Sequence, residues 1–213
     1  MAAADHSPTR PYHHGDLPRA LIDAAVQVIE NEGLAALSLR QLARRVGVSH
    51  AAPVHHFGDK AGLLTALAVE GFFELADELQ RTYAETASLL ELAVAYVRFA
   101  VGHRAYFEVM FRPELYHADD ARLVHARGRA RELLYGPLAE LRGAAMPDTP
   151  RAGLAAWSLA HGLATLLISG NLISPNEADH DPAELTRSIA GYLFQSSGVS
   201  EAHADASSNP PIH

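Results

Sequence analysis

Apolar residues recur at every third or fourth position along most of the chain, a spacing that is typical of amphipathic helices. No stretch alternates apolar and polar residues convincingly enough to predict a strand. The pattern therefore predicts an all-α protein of about nine helices. These are expected near residues 16–33, 38–47, 49–56, 59–79, 88–102, 104–111, 119–143, 150–170 and 182–195, with a kink at Gly136-Pro137.

The composition of the two ends predicts four regions. Residues 1–14 are expected to form a flexible arm, and residues 15–75 an N-terminal domain built on three helices. Residues 76–196 are expected to form a larger C-terminal helical bundle. Residues 197–213 are small, polar and contain proline, which predicts a disordered tail.

The second and third predicted helices are separated by a very short turn. Ser38 and Gln41 are spaced as a capping box that begins the second helix. Gly47 can adopt the positive φ that reverses the chain, Val48 is a small apolar plug at the elbow, and Ser49 is expected to cap the next helix. Two short helices joined in this way predict a helix-turn-helix, whose second helix enters the major groove of DNA.

The third helix would present small side chains and imidazoles. The methyl group of an alanine such as Ala51 can contact a thymine methyl, and small residues let the backbone approach the bases. His55, His56 and Lys60 are suited to phosphate contacts. In many helical bundles, however, two amphipathic helices are joined by a glycine turn without any DNA-binding function.

The chain resembles the tetracycline-repressor (TetR) family of bacterial regulators. The resemblance is carried in order by Gly33, the Ser38–Val46 helix, Gly47-Val48-Ser49, His56-Phe57, Asp59-Lys60 and Leu63-Leu64, and by the preceding segment Tyr12-His13-His14-Gly15-Asp16-Leu17. Further along, Trp157-Ser-Leu-Ala-His161-Gly162 resembles a sensor domain seen together with that N-terminal segment. The resemblance implies a homodimer, a palindromic double-stranded operator, and release of DNA when a small-molecule effector enters the C-terminal domain.

The resemblance also implies which residues contact DNA. By position they are Ser38, Leu39, Val48, Ser49, His50, Ala51, Val54, His55, His56 and Lys60. Val54 departs from the family, which usually has a tyrosine there whose hydroxyl contacts the DNA backbone. Valine cannot donate that hydrogen bond, so either the affinity is lower or His55 and His56 compensate.

Two regions of the C-terminal part are candidates for the effector and the partner subunit. A ligand cavity would be lined by Phe99, His103, Phe107, Met110, Trp157 and His161, with His161 as its polar anchor. The dimer interface, through the last two helices, would use Ala156, Ala160, Ala164, Leu185, Ile189, Tyr192 and Leu193. For each cavity residue, core packing is the simpler explanation, and for the interface set, packing within one chain explains the pattern equally well, so both alternatives remain open.

The charge distribution and the absence of cysteine exclude several kinds of site. The net charge is −8, but the first 60 residues are neutral, with six basic and six acidic residues, so the acidity lies in the C-terminal part. Without cysteine there is neither a disulfide nor a thiolate zinc site, which fits a cytoplasmic protein, and no apolar run predicts a membrane span. The adjacent pairs His13-His14 and His55-His56 diverge around a helix and chelate poorly, so no metal or cofactor is expected.

An enzyme and an inactive interaction module are the alternatives. A helical hydrolase or metal protein would use His103, His117, His125 or His161, but no nucleophile, paired acids or phosphate-binding glycine loop accompanies them. No catalytic residue is therefore predicted. The best support for an interaction module that kept the fold and lost DNA binding is Val54.

Overall fold

The computed structural model describes residues 17–140, 149–172 and 181–196, and these form nine α-helices and two short 3₁₀ turns without a strand. The predicted all-α fold is confirmed. The helices are α1 Leu17–Glu32, α2 Leu39–Val46, α3 Ala51–Phe57, α4 Lys60–Thr86, α5 Leu89–Gly102, α6 Arg104–Met110, α7 Ala121–Glu140, α8 Thr149–Ser169 and α9 Pro182–Ser196. The predicted arm, the predicted tail and the expected N-cap Asp16 lie outside the described residues.

The boundaries of α2 follow the capping signals, with one correction. The Ser38 hydroxyl accepts a hydrogen bond from the backbone N–H of Gln41 at 3.2 Å, and Gly47 ends the helix in the left-handed conformation at φ 75°. The reciprocal half of the predicted capping box is not formed, because the Gln41 amide donates to Glu32 of α1 at 3.0 Å. That contact ties α2 to α1, so a tertiary contact replaces the local one.

The expected start of α3 was wrong by one residue. His50 is the N-cap, in right-handed helical conformation and without a side-chain cap, so the Ser49 hydroxyl does not cap the helix. Ser49 acts through its backbone instead, since its carbonyl accepts the N–H of Ala52 at 3.0 Å. A tight hydrogen-bonded turn at Ser49 thus starts the helix without a side-chain cap.

Helix α4 is the spine of the protein. Over 27 residues it buries Leu63, Leu67, Leu75 and Leu79, which are at most 1% exposed, and it packs against α5, α6 and α7. One hydrophobic cluster includes residues from α1, α2, α4, α5, α6, α7 and α8. The predicted boundary between residues 75 and 76 therefore falls inside a single helix, which fixes the N-terminal helices to the bundle.

Helix α8 packs on α5, where Ala160, Leu163 and Ala164 are buried. Arg151–Ser169 is, by length and composition alone, long and apolar enough to cross a membrane, which the sequence pattern did not predict. Only 22% of that window is buried, and Leu154 and Leu166 remain 51% and 44% exposed. One apolar face of α8 is therefore uncovered in the isolated chain.

Candidate nucleic-acid interface and sensor region

Helix α3 has one buried residue, and most of its other residues are exposed. Pro53 is the buried residue of this helix, and as the third residue it occupies the first turn, where a missing N–H costs no intrahelical bond. Among the other residues of this segment, Val54 is 50% exposed, and His50, Ala51 and His55 are also exposed. The described geometry thus leaves these side chains free to face a partner.

The other residues expected to contact DNA divide into two groups. Ser38, Ser49, His56 and Lys60 are exposed around α3, while Leu39 and Val48 are half-buried. Leu39 packs against the hydrophobic core, so its first role is structural. The Lys60 ammonium donates to the carbonyl of Leu34 at 3.4 Å and keeps two further N–H donors.

Helix α2 adds cations that the sequence interpretation did not assign. Arg40 and Arg44 are exposed on α2, whereas Arg45 forms an ion pair with Glu32. The spacing of the apolar residues in α2 leaves Arg40 and Arg44 off its buried face, so the exposure of both arginines could have been predicted from the sequence. The outer surface formed by α2, α3 and Lys60 therefore carries cationic and imidazole side chains.

A close backbone approach fixes α3 against α4. A Cβ atom at Gly62 would lie 1.9 Å from the carbonyl oxygen of Phe57, the last residue of α3. The same carbonyl accepts the N–H of Asp59 at 2.9 Å, and the Asp59 carboxylate caps α4 through the N–H of Gly62 at 2.7 Å. The end of α3 is thus tied directly to the first turn of the spine helix.

In the C-terminal part, three of the expected cavity residues meet at one place. The imidazole of His161 lies among aromatic rings, with centroid distances of 5.1 Å to Trp157 and 5.2 Å to Phe107. Two further rings that were not predicted complete this aromatic cluster. Phe111 lies at 4.7 Å, and the Tyr96 hydroxyl is 2.8 Å from Nδ1 of His161.

Burial determines the protonation of this cluster. It lowers the pKa of His161 and raises the pKa of Tyr96, so near neutral pH both are uncharged. The Tyr96 hydroxyl and Nδ1 of His161 therefore share a hydrogen bond between two uncharged groups, and the imidazole tautomer determines which of them donates. This bond joins α5 to α8.

The remaining expected cavity residues lie elsewhere. Phe99 stacks on His103 at 4.7 Å, and both line an open cleft of about 480 Å³ between α4 and α5, with Glu74 and Arg98 among the other walls. Met110 is 1% exposed and packs against Gly71 of α4. The structure therefore does not bring all six residues into one cavity.

The residues expected at the dimer interface are also divided. Ala156 is exposed on α8, whereas Ala160 and Ala164 are 6% and 0% exposed and pack within the chain. Leu185 and Ile189 are half-buried against the core. Tyr192 and Leu193 belong to α9, but their side chains lie outside the described part of the structure.

The four histidines of the enzyme alternative do not converge. His103 lies 3.6 Å from Glu74, His117 lies 3.5 Å from Asp59, and His125 and His161 contact aromatic rings. Among the residues that the structure describes, no group of three or more His, Cys, Asp or Glu side chains is arranged to hold a metal ion.

Family models match both parts of the chain. Residues 21–67 match the model of bacterial regulatory proteins of the tetR family, and residues 89–190 match the model of the tetracyclin repressor-like C-terminal domain. The two matches lie in the expected order and together cover more than two thirds of the chain. The chain belongs to the TetR family of transcriptional regulators.

Similar proteins agree with this assignment. The chain is 29% identical over 93 residues to the uncharacterized HTH-type transcriptional regulator YobS of Bacillus subtilis, covering 42% of this chain and 49% of that protein. The match thus spans about half the length of this curated relative. A solved structure of a protein with unknown function from Rhodococcus sp. RHA1 is 34% identical, with a TM-score of 0.73, covering 88% of this chain and 98% of that one. The TetR family regulator PfmR from Thermus thermophilus has the same fold, with 21% identity, a TM-score of 0.62 and coverage of 82% and 97%.

Proposed function

We propose that this protein is a cytoplasmic repressor that binds a palindromic DNA operator as a homodimer and leaves it when a small molecule binds the C-terminal bundle. The observation that carries the proposal is the exposed face of α3, where His50, Ala51, Val54 and His55 surround a helix anchored by Pro53. Two such helices, related by a two-fold axis, would enter successive major grooves about 34–36 Å apart.

The cations around α3 would supply most of the affinity through phosphate contacts. Arg40 and Arg44 are exposed on α2 and Lys60 is exposed at the start of α4, and the first 60 residues carry no net charge despite the acidic C-terminal part. Local cationic side chains are sufficient for DNA binding, because charge beyond about 8–10 Å is largely screened at physiological salt.

The uncovered face of α8 supports the homodimer. Leu154, Ala156, Gly162 and Leu166 are exposed on this helix, and small residues beside leucines permit close approach of a second helix. A two-fold pairing of α8 and α9 with their copies would bury this face in a four-helix interface. It would also account for an apolar helix that is only 22% buried in one chain.

The aromatic cluster around His161 supports an effector site of the Trp157–Gly162 sensor region. An aromatic wall with a small number of polar groups is typical of small-molecule sites. A ligand that competed for the Nδ1 atom of His161 would break the bond to Tyr96 and alter how α5 packs on α8. Such a ligand acts only if it binds the DNA-competent and DNA-free states with different affinity.

Selection from random duplexes tests the proposed function. Purified protein at moderate salt is expected to enrich a palindrome whose half-sites lie about 10–10.5 base pairs apart, with two protomers bound per duplex. A variant with Val54→Asp and His55→Asp places negative charge on the exposed face of α3 and should bind no duplex. Equal binding to selected and scrambled duplexes would contradict sequence-specific regulation.

A further inference from the structure

The segment between α6 and α7 brings His117, a residue of the C-terminal part, to the start of α4. The segment is anchored at both ends. Tyr116 is 7% exposed, and its hydroxyl donates to the carbonyl of Met110 at 2.8 Å. At the other end the Asp120 carboxylate accepts the N–H of Leu123 at 3.2 Å and starts α7. His117 is therefore held in place by its neighbours on both sides.

Two contacts join His117 to the spine helix. Its backbone N–H donates to the hydroxyl of Thr65 at 3.0 Å, and that hydroxyl donates in turn to the carbonyl of Ala61 at 2.8 Å. Thr65 is only 2% exposed, so this bond is protected from water. The Nε2 atom of His117 then lies 3.5 Å from Oδ1 of Asp59, the oxygen that caps α4 through Gly62.

Asp59 is a negative charge at the edge of the DNA-facing surface. It precedes Lys60 and follows α3 by two residues. The hydrogen bond from the N–H of Gly62, and then the nearby imidazole of His117, lower the pKa of Asp59, so the carboxylate is ionised throughout the neutral range. An ionised carboxylate beside DNA phosphates opposes binding unless a cation offsets it.

The other charged groups around His117 do not replace it in this role. Lys60 directs its ammonium to the carbonyl of Leu34, and Asp120 of the same segment lies 3.7 Å from Arg122. His117 is about half exposed, with 54% of its side chain accessible, so solvent reaches the imidazole. Histidine is the side-chain type whose charge can change within the physiological pH range, and the imidazole of His117 lies 3.5 Å from the Asp59 carboxylate.

We propose that His117 is a positioning residue of the DNA interface, whose protonated imidazole offsets the charge of Asp59 and holds the first turn of α4, so that operator binding tightens as the pH falls. The inference rests on the proposed function. It adds a residue outside the helix-turn-helix to the determinants of DNA affinity. It also predicts a response to proton concentration that requires no effector.

The first test compares the pH dependence of affinity for the selected duplex at constant ionic strength. The dissociation constant of the wild type should fall between about pH 8 and pH 6. For His117→Gln, the ratio of the dissociation constants at the two pH values should be about two- to fivefold smaller. Any change that remains in the variant comes from groups other than His117, and His50, His55 and His56 are exposed in and beside α3. His125→Gln is the matched control, because His125 is exposed on α7 beside Phe73 and should keep the wild-type profile.

Further variants separate charge from structure. His117→Lys keeps a positive charge at every pH, so it should bind at pH 8 as the wild type binds at pH 6 and show only the residual pH dependence. Asp59→Asn keeps a helix cap but removes the charge, and it should abolish the same pH-dependent component as His117→Gln. Because the two residues act on each other, combining them should change the profile no further.

The Thr65 hydroxyl tests the positioning. Thr65→Val removes the acceptor of the His117 N–H and should reduce the pH-dependent component, whereas Thr65→Ser should restore it. Identical pH profiles for wild type and His117→Gln would overturn the inference and leave the proposed function standing. Failure of the wild type to bind any duplex specifically would overturn both.

Discussion

The turn between α2 and α3 depends on one glycine, so Gly47→Ala isolates the free-energy cost of its backbone conformation. Gly47 has φ 75° and ψ 32°, and a Cβ atom built there has nothing within 4 Å. No steric clash is therefore added, and the cost is that of a left-handed alanine, about 1–2 kcal/mol. Alanine also reduces the conformational entropy of the unfolded chain, which stabilises the folded state by about 0.4–1 kcal/mol. The free energy of unfolding should therefore fall by about 1 kcal/mol.

The assay is thermal unfolding at fixed protein concentration, followed through Trp157, the single tryptophan of the chain. A loss of about 1 kcal/mol corresponds to a Tm lower by about 2–4 °C for a protein of this size. Gly128→Ala is the matched control with the opposite sign. Gly128 lies inside α7 with nothing within 4 Å of its Cβ position, and the helical propensity of alanine should raise the free energy of unfolding by up to about 1 kcal/mol.

Gly47→Ala and Gly128→Ala are expected to change the free energy of unfolding in opposite directions, which makes the prediction refutable. If Gly47→Ala unfolds at the same temperature as the wild type or above it, the left-handed turn that orients α3 is not required. If both alanines lower the Tm equally, the loss is a general effect of substitution and says nothing about the turn. A lower Tm for Gly47→Ala alone would support the left-handed conformation of Gly47, which orients α3.

Two further predictions concern DNA and the partner subunit. Lys60→Ala should weaken binding to all duplexes alike and reduce the slope of log affinity against log salt by about one, and an unchanged slope would remove Lys60 from the phosphate contacts. Leu166→Asp, on the uncovered face of α8, should give a monomer of 22.9 kDa by sedimentation equilibrium. Val124→Asp is the control, because Val124 on α7 is comparably exposed at 48% and should leave a dimer. A Leu166→Asp protein that still sediments as a dimer would place the interface elsewhere.

The sequence was informative where local chemistry determines the structure. The helical order, the cap at Ser38 and the stop at Gly47 follow from periodicity and from single residues whose backbone preferences are strong. Those signals act over a few positions. The exposed residues of α3 could therefore be predicted, whereas Arg40 and Arg44 of α2 were not assigned, and the contacts with DNA stay a prediction.

Contacts between distant segments could not be predicted in the same way. Gln41 leaves its capping box because Glu32 of α1 lies within reach. The expected cavity residues are divided because Phe99 of α5 stacks on His103, whereas Phe107 of α6 lies against His161. The contact of His117 with Asp59 joins residues 58 positions apart, which no local pattern indicates.

A hydroxyl-radical footprint on the selected duplex tests the central claim most directly. If α3 from each of two protomers lies in a major groove, the protein should protect two symmetric patches whose centres are about 10–10.5 base pairs apart. A single protected patch, or uniform weak protection along the whole duplex, would contradict the assignment of α3 as the recognition helix.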